Sequence, residues 1–463
     1  MAQLATKPES PKTTLPGKLP PGPHGHPLWG SARALQQKPL EFLSALARDY
    51  GDVTRCRYGL WPMYLVNHPD HIKHVLQECH SRYNKDVIDY RLLQRIAGNG
   101  LIVNDGASWL HQRRLMQPAF HHRRIEGFGT LMTNAALEML ARWEARPAPD
   151  EPLDMAVEMM RLTLRIVGQA LFSVDTSAEG DEFGQAFAIV NAYLMKIFYQ
   201  PLLMLPFVPA RGKRQFQRAQ ARLDAIVDGI IHQRRQQPAA HDDLLAMLLE
   251  ARDDETGEGM DDRQLRAEVA TLLIAGHETT AVSLTWAWLL LSAHPDVERR
   301  LHAELDVALG GRAPTISDLP NLPYNLMVLE ETMRLYPPAW SFSRSAVEED
   351  EIGGYRVPKG TMVLVSPYTM HRHPAFWEHP ETFDPERFTP ERSAGRPRFA
   401  YFPFGGGPRQ CIGNQFAMLE AQLALATIAQ RYRLRVVPGH PIEPQALITL
   451  RLKHGLPVTL ERR

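Results

Sequence analysis

The segment from Met260 to Ala293 is the longest helix candidate in the sequence, and it restricts the fold more than any other feature. Asp261 followed by Gln264 forms a capping pair for its start, and Pro295 closes it. At 1.5 Å per residue this helix is about 50 Å long, longer than most helices of globular proteins. Together with the other helical stretches, it predicts a mostly α protein with small β-sheets.

Helical periodicity recurs along most of the chain, whereas strand-like runs are few. The predicted helices cover residues 40–50, 124–146, 152–172, 214–236, 261–293, 296–309 and 412–432. The predicted strands lie within residues 53–66, 361–366, 446–452 and 456–463. No repeat or internal linker divides these elements. We therefore predict a flexible, proline-rich arm and lead-in over residues 1–39 and a single domain over residues 40–463.

Composition excludes several classes of protein. The 52 basic and 52 acidic side chains balance, which argues against nucleic acid as the main partner. Three scattered cysteines, Cys56, Cys79 and Cys411, are too few for a disulfide framework or an all-cysteine metal site. The first residues lack the apolar run of a secretion signal or a membrane span, so we expect a cytoplasmic protein without a transmembrane anchor.

The middle of the long helix, LLIAGHETTAV, contains residues that weaken a helix. Gly276 costs about 1 kcal/mol relative to alanine, and the hydroxyls of Thr279 and Thr280 compete for backbone carbonyls. His277 and Glu278 do not belong to a zinc-protease motif, because Ala281 stands where the second histidine is needed. A buried helix that weakens itself at its midpoint indicates a functional constraint there.

A second unusual segment, FPFGGGPRQCIGNQFAMLE, spans residues 402–420. Its three glycines do not form a phosphate loop, because no Lys-Ser or Lys-Thr pair follows them. A lone cysteine such as Cys411 is ordinarily a small buried apolar residue. Here, however, Phe404, Gly407, Arg409, Cys411 and Gly413 fit the pattern F-x-x-G-x-R-x-C-x-G. This pattern resembles the haem-binding loop of the cytochrome P450 family.

The resemblance implies haem b, iron protoporphyrin IX, with the Cys411 thiolate as the iron ligand. A thiolate pushes electron density onto iron, and the N-terminus of the following helix would stabilise its charge. Gly405 and Gly413 would let the backbone approach the porphyrin. Phe404 would shield the sulfur from water, and Arg409 would bind a haem propionate.

Two further motifs resemble structural and cofactor-binding parts of the family. Glu331 and Arg334 form E-x-x-R on one helix face, and Arg387 in FDPERF resembles the third member of the charge network behind the haem. Trp109 and Arg113 in SWLHQRR lie one helical turn apart and resemble propionate ligands. Arg344, in PPAWSFSRS, resembles another propionate ligand.

The midpoint of the long helix, AGHETT, resembles the oxygen-activation motif of the family. Ala275 and Gly276 are small, so the resemblance implies that this helix lies directly over the distal face of the haem. It also implies that Thr279 hydrogen-bonds the dioxygen and that Glu278 passes protons inward as a general acid. Glu278 and Thr279 are therefore the candidate catalytic residues.

The resemblance extends from about Leu40 to the C-terminus and implies a haem-thiolate monooxygenase. Such an enzyme inserts one atom of its co-substrate O₂ into a C–H or C=C bond. No reductase follows the haem loop, so we expect electrons to come from ferredoxin, ferredoxin reductase and NAD(P)H. We also expect a monomer. Two alternatives remain: a peroxide-using or peroxide-rearranging haem-thiolate enzyme, and a non-catalytic haem sensor or carrier. Intact Glu278 and Thr279 argue against both.

The predicted substrate is lipophilic: a fatty acid, terpenoid, steroid or macrocycle. The segment from 185 to 209 is almost uncharged and predicts an apolar lid. Arg91 and Arg95 are candidate anchors for a carboxylate, which would favour a fatty acid. By family position, the predicted pocket residues are Ile88, Leu92, Phe198, Leu202, Ala339, Trp340, Phe342 and Ile448.

Overall fold

The structure is a computed structural model of the chain and describes residues 17–148, 151–173, 180–199, 212–236, 243–252 and 257–463. Its α-helices are α1 Ala32–Gln37, α2 Pro39–Tyr50, α3 Pro69–Lys73, α4 Ile88–Ala97, α5 Gly106–Met116, α6 His122–Gly127, α7 Gly129–Glu144, α8 Met155–Phe172, α9 Gly180–Tyr199, α10 Lys213–Gln236, α11 Leu244–Glu250, α12 Asp262–Ala293, α13 Pro295–Leu309, α14 Pro323–Leu335, α15 Pro367–Met370, α16 Pro390–Ser393 and α17 Asn414–Ala429.

The β-strands form small sheets beside the helices. They are β1 Val53–Tyr58, β2 Trp61–Val66, β3 Tyr83–Asn84, β4 Leu153–Asp154, β5 Phe342–Ala346, β6 Asp350–Ile352, β7 Tyr355–Val357, β8 Met362–Val365, β9 Tyr432–Val436, β10 Pro444–Ala446, β11 Leu450–Leu452 and β12 Pro457–Arg462. The largest sheet has the order β1-β2-β8-β5-β3, with β2 and β8 parallel and the other neighbours antiparallel. The remaining sheets are β4-β12-β9, β10-β11 and β6-β7.

The long helix α12 forms as predicted. The Asp261 side chain accepts a hydrogen bond from the Gln264 backbone N–H at 2.7 Å and so caps its first turn. The helix ends at His294, and Pro295 opens α13. Most of its residues are buried, because other helices pack against it on several sides. The helix therefore crosses the interior of the protein and supports the site described below.

Three predicted helices differ from the structure. The predicted helix at 152–172 begins at Met155, because Leu153 and Asp154 form β4. The predicted helix at 124–146 is divided at Phe128 into α6 and α7. The predicted helix at 412–432 ends at Ala429, and Tyr432 begins β9, so its C-terminal boundary was wrong. In β9 the alternating residues Tyr432 and Leu434 are buried, and pairing with β12 stabilises the strand. The cross-strand pairing is non-local, so helical periodicity alone did not show it.

The lead-in before residue 40 packs against β1. The Arg55 backbone N–H donates to the Pro21 carbonyl at 2.8 Å, and the Ser31 N–H donates to the Arg57 carbonyl at 2.7 Å. Leu35 of α1 is buried. Residues 1–16 lie outside the described part of the chain. The division into an arm and lead-in over residues 1–39 and a domain over residues 40–463 stays a prediction. No helix among the described residues combines the length and apolar character needed to cross a membrane.

Candidate cofactor and active site

A cavity of about 490 Å³ lies between the middle of α12 and the loop that precedes α17. The α12 wall contains Ala275, Gly276, Glu278 and Thr279, and the loop wall contains Phe404, Gly405, Arg409, Cys411 and Gly413. The fold thus brings the two unusual segments of the sequence together at one site.

Cys411 lies at the loop wall with its side chain facing the open interior of the cavity. Its backbone N–H donates to the Phe404 carbonyl at 3.0 Å, which fixes the loop. Burial raises the pKa of the Cys411 thiol above its ordinary value, while the Gly413 backbone N–H and the Arg113 charge act in the opposite direction. The positive end of α17, which begins at Asn414, lies close along the chain. The surrounding protein thus counters only part of the cost of a buried thiolate, and a bound cation would supply the rest.

Glycine occupies positions 405–407 and 413 of this loop for two different physical reasons. A Cβ at Gly406 would lie 2.3 Å from the Phe399 ring, and a Cβ at Gly407, where φ is +69°, would lie 1.9 Å from the Leu76 carbonyl oxygen. By contrast, a Cβ at Gly405 or Gly413 would meet no protein atom closer than 3.9 Å, and Gly405 in addition has a φ of +69° that favours glycine. Both of these residues line the cavity. They leave open space against the loop that a flat ligand can occupy.

Four cationic side chains line the same cavity: Lys85, Arg113, Arg344 and Arg409. Arg409 forms an ion pair with Asp105, and its guanidinium carbon lies 5.4 Å from the centre of the Trp109 ring. Arg113 donates from Nη1 to the Gln410 carbonyl at 3.1 Å. All three predicted arginines and Trp109 therefore border one cavity.

Arg344 and Lys85 complete this cationic group. Arg344, on β5, donates from Nη1 to the Tyr90 hydroxyl at 2.7 Å. Lys85 is 8% exposed and donates from Nζ to the carbonyls of Ile102 at 2.8 Å and Leu101 at 3.2 Å. Burial lowers the pKa of Lys85 well below its ordinary value, and Arg344 and Arg409 lower it further.

The charge balance of this group fits an anionic ligand. Asp105 pairs with Arg409, while burial raises the pKa of two other nearby acids, Asp89 and Glu268, the latter to about 7. Buried positive charge is unfavourable unless an anion balances it. Two carboxylates entering the cavity would do so, which matches the two propionates of haem b. The residues present therefore fit this cofactor.

The midpoint of α12 presents different residues to its two sides. Thr279 lies on the cavity side and donates from Oγ1 to the Ala275 carbonyl at 2.8 Å. A Cβ on Gly276 would lie 3.0 Å from Val167 of α8, so this glycine also permits close packing of two helices. His277 packs edge-on against Phe183 and Phe187 and is separate from the cavity lining.

Glu278 is a buried acid at the edge of the cavity, 1% exposed. Burial raises its pKa to about 7, although Arg451, Thr449 and Asn191 lower it. The Asn191 side chain donates from Nδ2 to Glu278 Oε1 at 3.3 Å. A carboxyl group with this pKa exchanges a proton near neutral pH, as a general acid requires.

Glu331, Arg334 and Arg387 are brought together away from the cavity. Glu331 accepts from Arg334 Nε at 2.6 Å and Nη2 at 2.8 Å, and from Arg387 Nε at 3.3 Å. Arg334 also donates to the carbonyls of His371, Pro380 and Thr382. Glu331 and Arg334 are fully buried. The network ties α14 to the irregular segment around residues 371–387.

The predicted substrate-pocket residues fall into three groups. Leu92, Phe198, Ala339, Trp340, Phe342 and Ile448 line the cavity. Leu202 lies outside the described residues. Ile88 is not part of the lining, so its prediction is not supported. It is the first residue of α4 and packs against the main hydrophobic core, whereas Asp89, Tyr90, Leu92 and Leu93 of the same helix line the cavity.

The predicted carboxylate anchors are also absent from the cavity lining. Arg91 pairs with Asp86 at 2.7 Å, and both side chains are about two-thirds exposed. Arg95 is exposed as well. Both arginines occupy the outer face of α4, so the preference for a fatty acid that rested on them has no support from the structure.

Sequence reasoning missed four residues of the site: Lys85, Asp105, Asn191 and Thr449. Asp105 had a detectable signal, because an aspartate before SWLHQRR is a favoured helix cap, and its carboxylate accepts from the Gly106 N–H at 2.8 Å. Lys85, Asn191 and Thr449 have no local motif. Contacts between distant segments bring them to the site.

Comparisons with known proteins agree with this geometry. The family model described as Cytochrome P450 matches residues 20–456. Cyclooctatin synthase of Streptomyces melanosporofaciens is 42% identical over 92% of this chain and 92% of its own length. Cyclooctat-9-en-7-ol 5-monooxygenase of the same organism is 40% identical over 95% of this chain and 93% of its own length.

A solved structure agrees as well. The cytochrome P450DA haem domain superposes with a TM-score of 0.86 at 28% identity, covering 96% of this chain and 98% of that domain. The predicted fold class and the predicted enzyme class, a P450 monooxygenase, are confirmed. The family implies a haem cofactor, which the cationic cavity and Cys411 fit. The chain belongs to the cytochrome P450 family.

Proposed function

We propose that this P450 monooxygenase oxidises a neutral cyclic terpenoid. The observation that carries the substrate class is the cavity lining, in which the cationic side chains belong to the cofactor group described above and the predicted carboxylate anchors lie outside. The name of a relative that is 40% identical, cyclooctat-9-en-7-ol 5-monooxygenase, supports the same class.

The cofactor we propose is haem b. When bound, it supplies the activation of O₂ and the insertion of one oxygen atom into a C–H or C=C bond, with the other atom released as water. Cys411 would hold the iron through its sulfur, and Phe404 would keep water from that sulfur. The residues proposed to hold the propionates are Lys85, Trp109, Arg113, Arg344 and Arg409.

The apolar part of the cavity would orient the substrate and exclude water. Leu194, Met195 and Phe198 contribute to it from α9, and Ala339, Trp340 and Ile448 contribute from irregular segments. The Trp340 indole N–H donates to the Leu447 carbonyl at 2.8 Å, which fixes the ring against the 447–449 turn. A neutral substrate with few polar groups leaves no charge unpaired in such a lining.

Glu278 and Thr279 would handle protons. Glu278 has a carboxyl group that gains and loses a proton near neutral pH. The Thr279 hydroxyl, which donates a hydrogen bond to the Ala275 carbonyl in the structure, offers a second donor and acceptor on the cavity side. A pair of this kind passes protons inward while apolar side chains exclude bulk water.

Electrons would come from separate proteins, a ferredoxin and its reductase, with NAD(P)H as the source. A cytoplasmic location and a monomeric state remain parts of the proposal. Reconstitution with a surrogate ferredoxin system tests the electron source, because a peroxide-using enzyme would turn over with peroxide and gain nothing from NAD(P)H.

The substrate proposal is tested by titrating the ferric holoprotein with cyclooctat-9-en-7-ol and, separately, with palmitate. We expect the terpenoid to shift the Soret band and palmitate to bind at least tenfold more weakly, since no lining cation is free to anchor a carboxylate once propionates are bound. Arg91→Ala is the matched control and leaves both titrations unchanged. Tighter binding of palmitate, or its loss in Arg91→Ala, refutes the proposal.

A further inference from the structure

Glu278 is surrounded by three elements of the fold. It projects from the middle of α12, Asn191 approaches from α9, and Thr449 and Arg451 approach from the turn and strand around β11. Asn191 is fully buried and donates to the Glu278 carboxyl at 3.3 Å. The carboxyl group thus has a partner on a helix that is remote in the sequence.

The second polar atom of the Asn191 side chain has no partner. Among the described residues, nothing lies within hydrogen-bonding distance of its buried Oδ1. A buried acceptor without a donor is unfavourable, because it has given up its hydrogen bonds to water. The neighbouring acid offers the missing donor when it is protonated, because a neutral carboxyl group carries one O–H. The Asn191 amide can therefore donate from Nδ2 to the ionised carboxylate of Glu278, and its Oδ1 can accept from the O–H of the protonated carboxyl group.

Asn191 also lies on the cavity face of α9. Leu194, Met195 and Phe198 line the cavity at positions i+3, i+4 and i+7 from Asn191. Residues with these spacings share one face of a helix. A ligand that contacts these three residues therefore touches the face of α9 that also carries the amide.

We propose that Asn191 is a positioning residue for Glu278, whose amide holds the acid in both protonation states and links its orientation to the contents of the cavity. The inference rests on the proposed function, because it assigns Glu278 to proton handling. Filling the cavity moves the α9 face, and the hydrogen bond between Asn191 and Glu278 changes with it.

Other groups around Glu278 do not replace this contact. The Thr449 hydroxyl, on the 447–449 turn, also lowers the pKa of this carboxyl as a hydrogen-bond donor, and Arg451 of β11 lowers it through its charge, but neither residue belongs to α9. On α12 the neighbouring His277 is packed away between Phe183 and Phe187. Within the described chain, the amide of Asn191 is thus the group from α9 that contacts the acid.

The test uses infrared spectra of the ferric holoprotein, in which protonated buried carboxyl groups give a C=O stretching band. The difference from Glu278→Gln identifies the band of Glu278. In Asn191→Leu, we expect this band to shift, because the protonated form loses an acceptor. We also expect its midpoint on pH titration to rise by about one unit, because the ionised form loses a donor and a hydrogen bond to a charged group is the stronger of the two. Asn191→Gln, which retains an amide, is expected to restore part of the wild-type behaviour.

The control is Gln185→Leu, on the exposed side of the same helix. If Asn191→Leu and Gln185→Leu give the same band and the same midpoint, the positioning role is refuted. The link to the cavity is tested by adding adamantane, a neutral polycyclic hydrocarbon, to the wild type and to Asn191→Leu. We expect adamantane to shift the Glu278 band in the wild type only.

The outcomes separate the two proposals. A Soret shift on adding adamantane, with an unchanged Glu278 band in the wild type, refutes the link through Asn191. An unchanged Soret band counts against the proposed apolar substrate site, and the pH titration still decides the role of Asn191.

Discussion

Replacing Glu331 by glutamine should destabilise the fold far more than removing an exposed charge. Glu331 accepts from Arg334 Nε and Nη2, from Arg387 Nε and from the Asp384 backbone N–H. Arg334 is fully buried, and Arg387 is 5% exposed. Glutamine retains one acceptor but turns an NH₂ group toward the arginines, so two buried cations lose their counter-charge.

The expected magnitude follows from this burial. Removing one partner of a buried ion pair costs about 3–5 kcal/mol, because the remaining charge stays buried without compensation. The three carbonyls that Arg334 also contacts hold the cost near the lower end of this range. The comparison is Glu381→Gln, which breaks a pair with Arg372 at 3.1 Å where the glutamate side chain is 73% exposed. Water screens this pair from the glutamate side, and the Arg372 side chain, 9% exposed, also lies over the Tyr368 ring, so we expect a loss of about 1 kcal/mol or less.

The assay is urea unfolding of the holoprotein, followed by tryptophan fluorescence and Soret absorbance. Glu331→Gln should unfold at a clearly lower urea concentration than Glu381→Gln. Adding Arg334→Met to Glu331→Gln should recover part of the lost stability, because the unpaired buried cation is removed. Equal unfolding midpoints for the two single variants would contradict the reasoning.

Four other perturbations have defined outcomes. Cys411→Ser should lose the long-wavelength Soret band of the reduced carbon monoxide complex; retention of that band would exclude Cys411 as the iron ligand. Lys85→Met should release haem to an apoprotein acceptor about 10-fold faster than the wild type. The reason is the loss of a hydrogen bond from a charged group to a propionate, which contributes about 1.5 kcal/mol or more. The exposed control, Arg91→Met, should release haem at the wild-type rate. For Glu278, burial raises the pKa in the folded protein from 4.5 to about 7. Between pH 4.5 and pH 7, the folded protein therefore binds more protons than the unfolded chain. The contribution of Glu278 to the free energy of unfolding consequently falls as the pH rises through this range. The free energy of unfolding of Glu278→Gln, relative to that of the wild type, should therefore increase from pH 5 to pH 8, by roughly 3 kcal/mol at most. If urea unfolding shows the same dependence on pH for both proteins, the raised pKa is contradicted. Thr279→Ala should bind the substrate normally but release more hydrogen peroxide per NAD(P)H consumed; an unchanged ratio of product to NAD(P)H would remove Thr279 from proton transfer.

Local chemistry determined the parts of the site that the sequence predicted. Cys411, with its glycines and Arg409, is a contiguous loop whose backbone conformation and ligand type are encoded within a dozen residues. The capped helix α12 and its weakened midpoint are also local, since capping and helix propensity act within a few residues. For this reason, the family resemblance and the fold class could be predicted before any tertiary contact was known. That the two segments face each other across a cavity was implied by this resemblance and not by the local chemistry.

Tertiary packing decided which side chains meet at those walls. Lys85, Asn191 and Thr449 reach the cavity or Glu278 through contacts between segments far apart in the chain, and no local pattern marks them. The same dependence explains where the structure differs from the predictions. Arg91 and Arg95 lie on the outer face of α4, and pairing with β12 stabilises β9. The sequence by itself determined the chemistry available at the centre of the protein. The three-dimensional packing of remote helices decided which residues surround that chemistry, because helix orientation and strand pairing are set by the whole core and not by neighbouring residues.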